Sequence, residues 1–521
     1  MEAPLTLAAL GEDERNARYE QLQDRLPEVW RIMRLNLDGE SVVVVPSVTV
    51  DRVGERSGTL VQAYEERFLF LLLLLRQPRM RVIYVTSMPV SPLIVEYYLA
   101  LLPGIIPSHA RKRLHFVSVN DASPRSLSAK LLDRPKLLAQ IRELIPDVTK
   151  SHLVPYNTTP LERDVALALG IPMYGADPRF FPLGTKTGCR RLFADEHVRH
   201  PIGFEDVHTV DDVVDSLCRL RAERPDVAHA IVKLNEGVSG EGNALVDLQR
   251  LPAAGAGDER RAVTARVEAM AFEAPTTPYE DYMAKLEANG GIVEELIEGV
   301  ELRSPSVQLR VTPTGGVELL STHDQLLGGP SGQSYLGCRF PADFAYAKAI
   351  SAEAKVIGER LAREGVIGRF AIDFVVVKDG QGGWTSHAIE LNLRKGGTTH
   401  PFLTLQFLTG GSYDPVTALF LTAIGQEKHL VATDHLESPS LSALSLEDLF
   451  DIVARHGLHF DQAGQTGVVF HMISCLTEHG RVGLTAVGNS PAEAEALYQH
   501  AERILLDEAE AALADLELPV P

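Results

Sequence analysis

From about residue 40 the chain alternates apolar, β-branched runs with helical spacing, and this alternation limits its fold more than any other feature. SVVVVPSVTV reads as a strand, residues 59–76 as a helix, RVIYVTS as a strand and residues 91–102 as a helix. LHFVSV, a helix over 135–145, HLVPY and a short helix over 160–169 continue the rhythm. Strand and helix in strict turn demand crossover connections, so residues 1–180 predict an open, parallel, doubly wound α/β sheet. Ligands of such sheets sit beyond the strand C-termini, which singles out the loops 47–57, 87–91 and 120–123. Ordinary Pro- and Ser-rich turns explain those loops equally well. No GxGxxG follows the first strand, so no dinucleotide site is expected there.

The run Phe68 to Leu75, FLFLLLLL, is too short to span a bilayer and is bracketed by charges, so it predicts a buried helix. Its leucines would suit a homodimer interface as well as a core. A net charge of −20 without clustered Lys and Arg argues against a nucleic-acid partner. The cysteines Cys189, Cys218, Cys338 and Cys475 form no CxxC pair, which gives no zinc spacing and fits a reducing cytoplasm. The N-terminus lacks the basic-then-apolar pattern of a signal peptide, and no membrane association is expected.

After residue 180 the pattern changes. Helices are expected over 185–197 and 210–223, then the strands AIVKLNE and NALVDL around a Gly-rich turn, and a loop and helix within 250–290. Strands dominate 292–339, a long helix covers 343–364, and strands over 367–378 and 384–393 flank the turn KDGQGG. A helix at 446–456, the strands VVFHMIS and RVGLTAVG, and a helix at 491–515 make a compact C-terminal α+β unit. The expected domains are 1–180, 181–435 and 436–521.

Several segments carry chemistry. Lys233 lies in a strand just ahead of Gly237, Ser239, Gly240 and Gly242, where glycine lets backbone N–H groups approach phosphate oxygens beside a compact positive charge. A plain hairpin would look similar. It is not a Walker A loop, and Lys186, opening a helix, means little by itself. In GGIVEELIEGVELRS a backbone hinge at Glu295 and Leu296 could meet an adenine edge, with Glu294 or Glu295 taking the amine and Glu301 the ribose. An exposed acidic hairpin is the competing account. Asp373 and Glu390 fall in neighbouring strands, with Asn392 on the same face as Glu390. These are hard oxygen ligands suited to magnesium, although paired acids also serve structure or glycoside hydrolysis. The following Arg394, Lys395 and Gly-Gly-Thr-Thr favour phosphate chemistry. His387, His400 and His471 occur without the GxSxG elbow of a serine hydrolase.

The order of these motifs resembles the ATP-grasp superfamily. The resemblance implies ATP and Mg²⁺ as cofactors, with Lys186 and Lys233 on phosphates and residues 237–242 as the flap. It also implies Glu294 to Leu296 as the hinge, Glu301 on ribose, and Asp373, Glu390 and Asn392 as the metal set. STHDQLLGG, LGCRFP, LNLRKGGTTHP and the GVVFHMIS/GLTAVG tail look like the pheganomycin-type peptide ligases. That narrower likeness implies a carboxylate-amine ligase working through an acyl phosphate on small-molecule or peptide carboxylates and amines. Arg394 is then expected on the transferring phosphoryl group, and Arg310 toward the same cleft unless a bulge intervenes at Pro305. Asp324 and Gln325 are expected on the acceptor side. Arg369 lies four residues before Asp373, where related ligases often place an arginine two before. Carboxylation, phosphotransfer to another acceptor, and a silent nucleotide-binding regulator are also compatible with the motif order.

Overall fold

The computed structural model describes residues 7, 10–35, 39–49, 59–237, 242–273, 277–328, 332 and 334–516. The first sheet has four strands in the order Leu114–Ser118, Arg81–Thr86, Ser41–Val45 and Ser151–Pro155. All its pairings are parallel, as the alternation predicts. Val42 to Val45 are fully buried, because helices cover both faces of such a sheet. The chain order reverses between Ser41–Val45 and Ser151–Pro155, and a crevice opens past their C-termini.

The leucine-rich run departs from its expectation. The helix Thr59–Glu66 stops, and Leu69–Arg76 continues as a 3₁₀ helix with Leu69, Leu72 and Leu75 fully buried within the chain. An all-round apolar run suits the middle of a core, where no polar face is needed.

Two antiparallel sheets follow. The smaller runs Gly203–Val207, Gly291–Glu295, His229–Leu234, Asn243–Asp247 and Ala271–Phe272. Residues 250–290 hold two helices, Glu259–Glu268 and Tyr279–Asn289. The larger sheet has nine strands, with Gly368–Lys378 paired to both Pro305–Val311 and Trp384–Asn392. The long helix Phe344–Glu364 packs on it, ended by Gly365 in the left-handed conformation at φ 86°.

The C-terminal α+β region is present, and its strands join this nine-stranded sheet. Ser334–Phe340 pairs with His429–Glu437, which pairs with Arg481–Gly488, and that strand pairs with Gly467–His471. The boundary expected near 435 therefore falls inside His429–Glu437, through which backbone hydrogen bonding is continuous. The helix Pro491–Leu516 covers this end of the sheet. Among the described residues no helix is long and apolar enough to cross a membrane.

Candidate active site

A cleft of about 730 Å³ separates the two antiparallel sheets. Ile231, Lys233, Glu294 and Glu295 line it from the smaller sheet, and Gln325, Asp373, Val375 and Glu390 from the larger. Lys186 enters from the first turn of the helix Lys186–Asp195. The first N–H groups of that helix are already bonded, Thr187 to Asn235 Oδ1 at 2.9 Å and Gly188 to the Thr185 hydroxyl at 3.0 Å, so the lysine ammonium supplies the positive charge there.

Asp373 and Glu390 are directly opposed in the strand pair, so their carboxylates share one face of the sheet. Gln325 donates to one oxygen of Asp373 at 2.8 Å and Asn392 to the other at 3.0 Å. Burial and the neighbouring Glu390 charge push the Asp373 carboxyl above the usual carboxylate range. Burial would raise Glu390 too, but the Lys186 ammonium at 2.5 Å, with Arg394 near, holds it below the usual carboxylate range. Two acids forced together, with amide groups and an ammonium filling their lone pairs, make a hard-oxygen donor set that fits magnesium.

Lys233 sits 2.6 Å from Glu294, whose other oxygen accepts from Arg190 at 2.8 Å. Burial alone would raise the Glu294 carboxyl, and these two cations hold it down instead. Both lysines therefore rest on carboxylates. The Gly-rich turn joins Lys233 to Asn243 across the hairpin, and Gly237 and Gly242 stand face to face at its base. Ser239 and Gly240 lie outside the described residues.

The hinge is more committed than the sequence implies. Glu295 accepts from the Ile202 N–H at 2.9 Å and pairs with Arg224 at 3.3 Å, while the Leu296 N–H donates to the His229 carbonyl at 3.1 Å. The next residues, Ile297 and Glu298, also line the cleft, a contribution that motif order did not single out. Glu301 is not among the lining residues. Its carboxylate is held by Arg303 at 2.8 Å and Lys378 at 2.9 Å, because the turn carries it over the neighbouring hairpin.

Two further expectations need correction. Asp324 turns away from Gln325, since adjacent strand residues face opposite sides. It accepts from the Asp343 N–H at 2.9 Å and from the Tyr346 hydroxyl at 2.7 Å, bracing the start of the long helix. Arg310 shares a sheet face with Asp373, yet it lies opposite Arg369, four residues along from Ser306, which opposes Asp373. At about 3.3 Å per residue that is about 13 Å from the acids. It pairs with Glu318 at 2.5 Å and lies 4.9 Å over the Trp30 ring. Arg369, pushed down to about 10 by burial and by Arg310, belongs to the same remote end.

Arg394 behaves differently. It lines a second pocket of about 270 Å³ together with Glu390, Asn392, Thr49, Asn157 and Phe181. Its one hydrogen bond among the described residues is a long one, 3.4 Å, to the Lys395 carbonyl, so no carboxylate among them claims its N–H groups. This pocket occupies the crevice of the parallel sheet, where Thr49 and Asn157 follow the neighbouring strands Ser41–Val45 and Ser151–Pro155 and the Thr49 N–H donates to Asn157 Oδ1 at 3.0 Å. Lys395 fixes the junction by donating to the Pro155 carbonyl at 2.5 Å. The 157–160 wall was not anticipated, because nothing in NTTP distinguishes a pocket lining from a helix cap; Thr159 serves as both.

The chain is similar in sequence and fold to several known proteins. Residues 182–274 and 262–415 match the family described as IQCH-like, ATP-grasp, and residues 448–501 match the PGM1 C-terminal domain. The L-propargylglycine--L-glutamate ligase of Streptantibioticus cattleyicolor is 27% identical over 449 residues, covering 84% of this chain and 89% of that protein. Among solved structures, the biotin carboxylase domain of the Hydrogenobacter thermophilus 2-oxoglutarate carboxylase, in complex with MgADP and bicarbonate, has a TM-score of 0.54. It is 12% identical, over 90% of this chain and 94% of that one. Campylobacter jejuni biotin carboxylase, in an ATP-analogue complex, gives 0.52 at 12% identity, covering 90% of this chain and 95% of that one. At such identities the structures speak for the fold. With the two facing antiparallel sheets, the preceding parallel sheet and the family match all agreeing, the chain carries an ATP-grasp domain.

Proposed function

We propose that the protein is an ATP- and magnesium-dependent carboxylate-amine ligase that forms an amide through an acyl phosphate. One observation carries the reading: the 730 Å³ cleft and the 270 Å³ pocket share Glu390 and Gly237. A nucleotide lying in the larger space would therefore present its terminal phosphate at the mouth of the smaller one. The relative from Streptantibioticus cattleyicolor, by its name a ligase of two amino acids, supports the same direction of chemistry.

In this reading Lys186 and Lys233 exchange their carboxylate partners for phosphate oxygens, and Ile297 and Glu298 border the base. Asp373, Glu390 and Asn392 would hold magnesium, which when bound neutralises phosphoryl oxygens. Arg394, with no carboxylate hydrogen-bonded to it among the described residues, holds the substrate carboxylate and then the transferred phosphoryl group, since a guanidinium spans two oxygens. A carboxylate oxygen attacks the γ-phosphorus as the bond to ADP breaks. The amine then attacks the acyl carbon, the C–O bond to phosphate breaks, and the amine proton departs with the phosphate. No side chain needs to act as a nucleophile; alignment and charge neutralisation suffice.

Mass spectrometry of products from pooled carboxylates and amines with Mg-ATP tests the proposal. New amides in step with ADP support it. Nucleotide binding without ADP formation would favour a silent regulator. Carboxylated products without amide would favour a carboxylase, and phosphorylated ones a phosphotransferase.

A further inference from the structure

Away from the cleft, three side chains distant in sequence meet inside the protein. His400 comes from the helix Thr399–Thr409, Asp434 from His429–Glu437 and His471 from the end of Gly467–His471. All three are at most 4% exposed. The Nε2 atoms of His400 and His471 are 3.0 Å apart, and Oδ1 of Asp434 lies 3.1 Å from the first and 2.8 Å from the second.

Imidazole protons alone do not satisfy this triangle. Asp434 is paired through Oδ2 with the Arg67 guanidinium at 3.4 Å, and its Oδ1 faces both imidazoles. If both Nε2 atoms carry hydrogen, two N–H groups collide at 3.0 Å; if one is bare, its lone pair faces the carboxylate oxygen. With Asp434 ionised beside Arg67, either arrangement of the imidazole protons leaves one repulsive contact. A cation satisfies all three donors at once. Ligands about 2.1 Å from one ion are about 3.0 Å apart at the right angles of an octahedron and about 3.4 Å apart in a tetrahedron, so the contacts of 2.8 to 3.1 Å match the octahedral spacing and need a small opening for the tetrahedral one.

We propose that His400, Asp434 and His471 form a second metal site, separate from the Asp373–Glu390 set, for a first-row divalent ion of the zinc, cobalt or iron class. Two imidazoles and one carboxylate are softer than an all-oxygen set and disfavour magnesium. Neutral imidazole is the ligating form. Arg67 is the competing cation, but it sits 3.4 Å from the other oxygen, Oδ2, and leaves Oδ1 to the histidines. Room for the His471 ring comes from Gly483, its cross-strand partner, where any Cβ would strike the imidazole. The bound ion would pin the helix following Arg394 to the end of the large sheet.

Chelator-treated full-length protein is incubated with zinc chloride and millimolar magnesium, passed through gel filtration and assayed for bound zinc by mass spectrometry. Stoichiometric zinc is expected in the wild type and in Glu390→Gln, and its loss in the His400→Ala/His471→Ala double variant. Cobalt should give visible ligand-field bands in the wild type, a readout that stands if the double variant fails to fold. Wild type without zinc and without cobalt bands, zinc retained by a folded double variant, or zinc lost in Glu390→Gln would each overturn the proposal.

Discussion

Lys186 Nζ lies 2.5 Å from Glu390 Oε1, so a phosphate-holding cation and a metal-holding anion of the proposed site neutralise each other. Breaking this pair separates its two roles. Glu390→Gln should stay folded and lose ADP formation, because an amide cannot supply the magnesium charge. Lys186→Met should retain slow turnover, with kcat lowered by about 10²-fold, the scale of one lost charge-stabilising donor. Steady-state ADP release and circular dichroism check both; normal turnover by Glu390→Gln would remove the magnesium assignment.

Arg394 and Phe181 line the smaller pocket and should act on the substrate rather than on nucleotide binding. Arg394→Ala is expected to lower kcat by about 10²- to 10³-fold while ATP still binds. Phe181→Ala should raise KM for the carboxylate with the ATP dissociation constant unchanged. Isothermal titration beside kinetics separates these outcomes, and weakened ATP binding by Phe181→Ala would contradict the division between the two cavities.

Asp324 should behave as a structural residue. Its half-buried carboxylate braces the helix Phe344–Glu364 through Asp343 and Tyr346, so Asp324→Ala should cost about 2 kcal/mol, typical for hydrogen bonds to a charged group. Substrate KM values should not move. Urea denaturation measures the first effect, and a large rise in amine KM without lost stability would return Asp324 to the acceptor site.

Lys395 links the parallel sheet to the segment bearing Arg394 and gives a pH signature. Burial and Arg369 push its ammonium down to about 7, whereas the unfolded chain keeps the ordinary value of 10.5. Between those values the unfolded state binds a proton that the folded state has released, so stability rises with pH across that window. The wild type should therefore gain more stability from pH 7 to 9.5 than Lys395→Met does. Parallel slopes in chemical denaturation at the two pH values would show that Lys395 does not titrate there.

The sequence is legible where local periodicity and order suffice. Val42 to Val45 announce a buried parallel strand, and the spacing of Asp373, Glu390 and Asn392 places three polar groups on one face. It is less legible where a residue's meaning depends on distant partners. Arg310 has the right parity but the wrong position along the strand, because parity selects a face and says nothing about distance. Asp324 and Gln325 are adjacent, yet one braces a helix and the other meets Asp373. Glu301 follows its turn to Lys378 rather than into the cleft. The Asn157 wall and the His400, Asp434 and His471 triangle require the tertiary fold, since their members have no diagnostic spacing.

The most direct measurement follows one oxygen atom. With ¹⁸O-labelled carboxylates, an amine pool and Mg-ATP, phosphate released alongside ADP should carry one labelled oxygen from the carboxylate, in step with amide formed. Amide formation accompanied by AMP, or by phosphate without the label, would contradict activation of the carboxylate at the γ-phosphate.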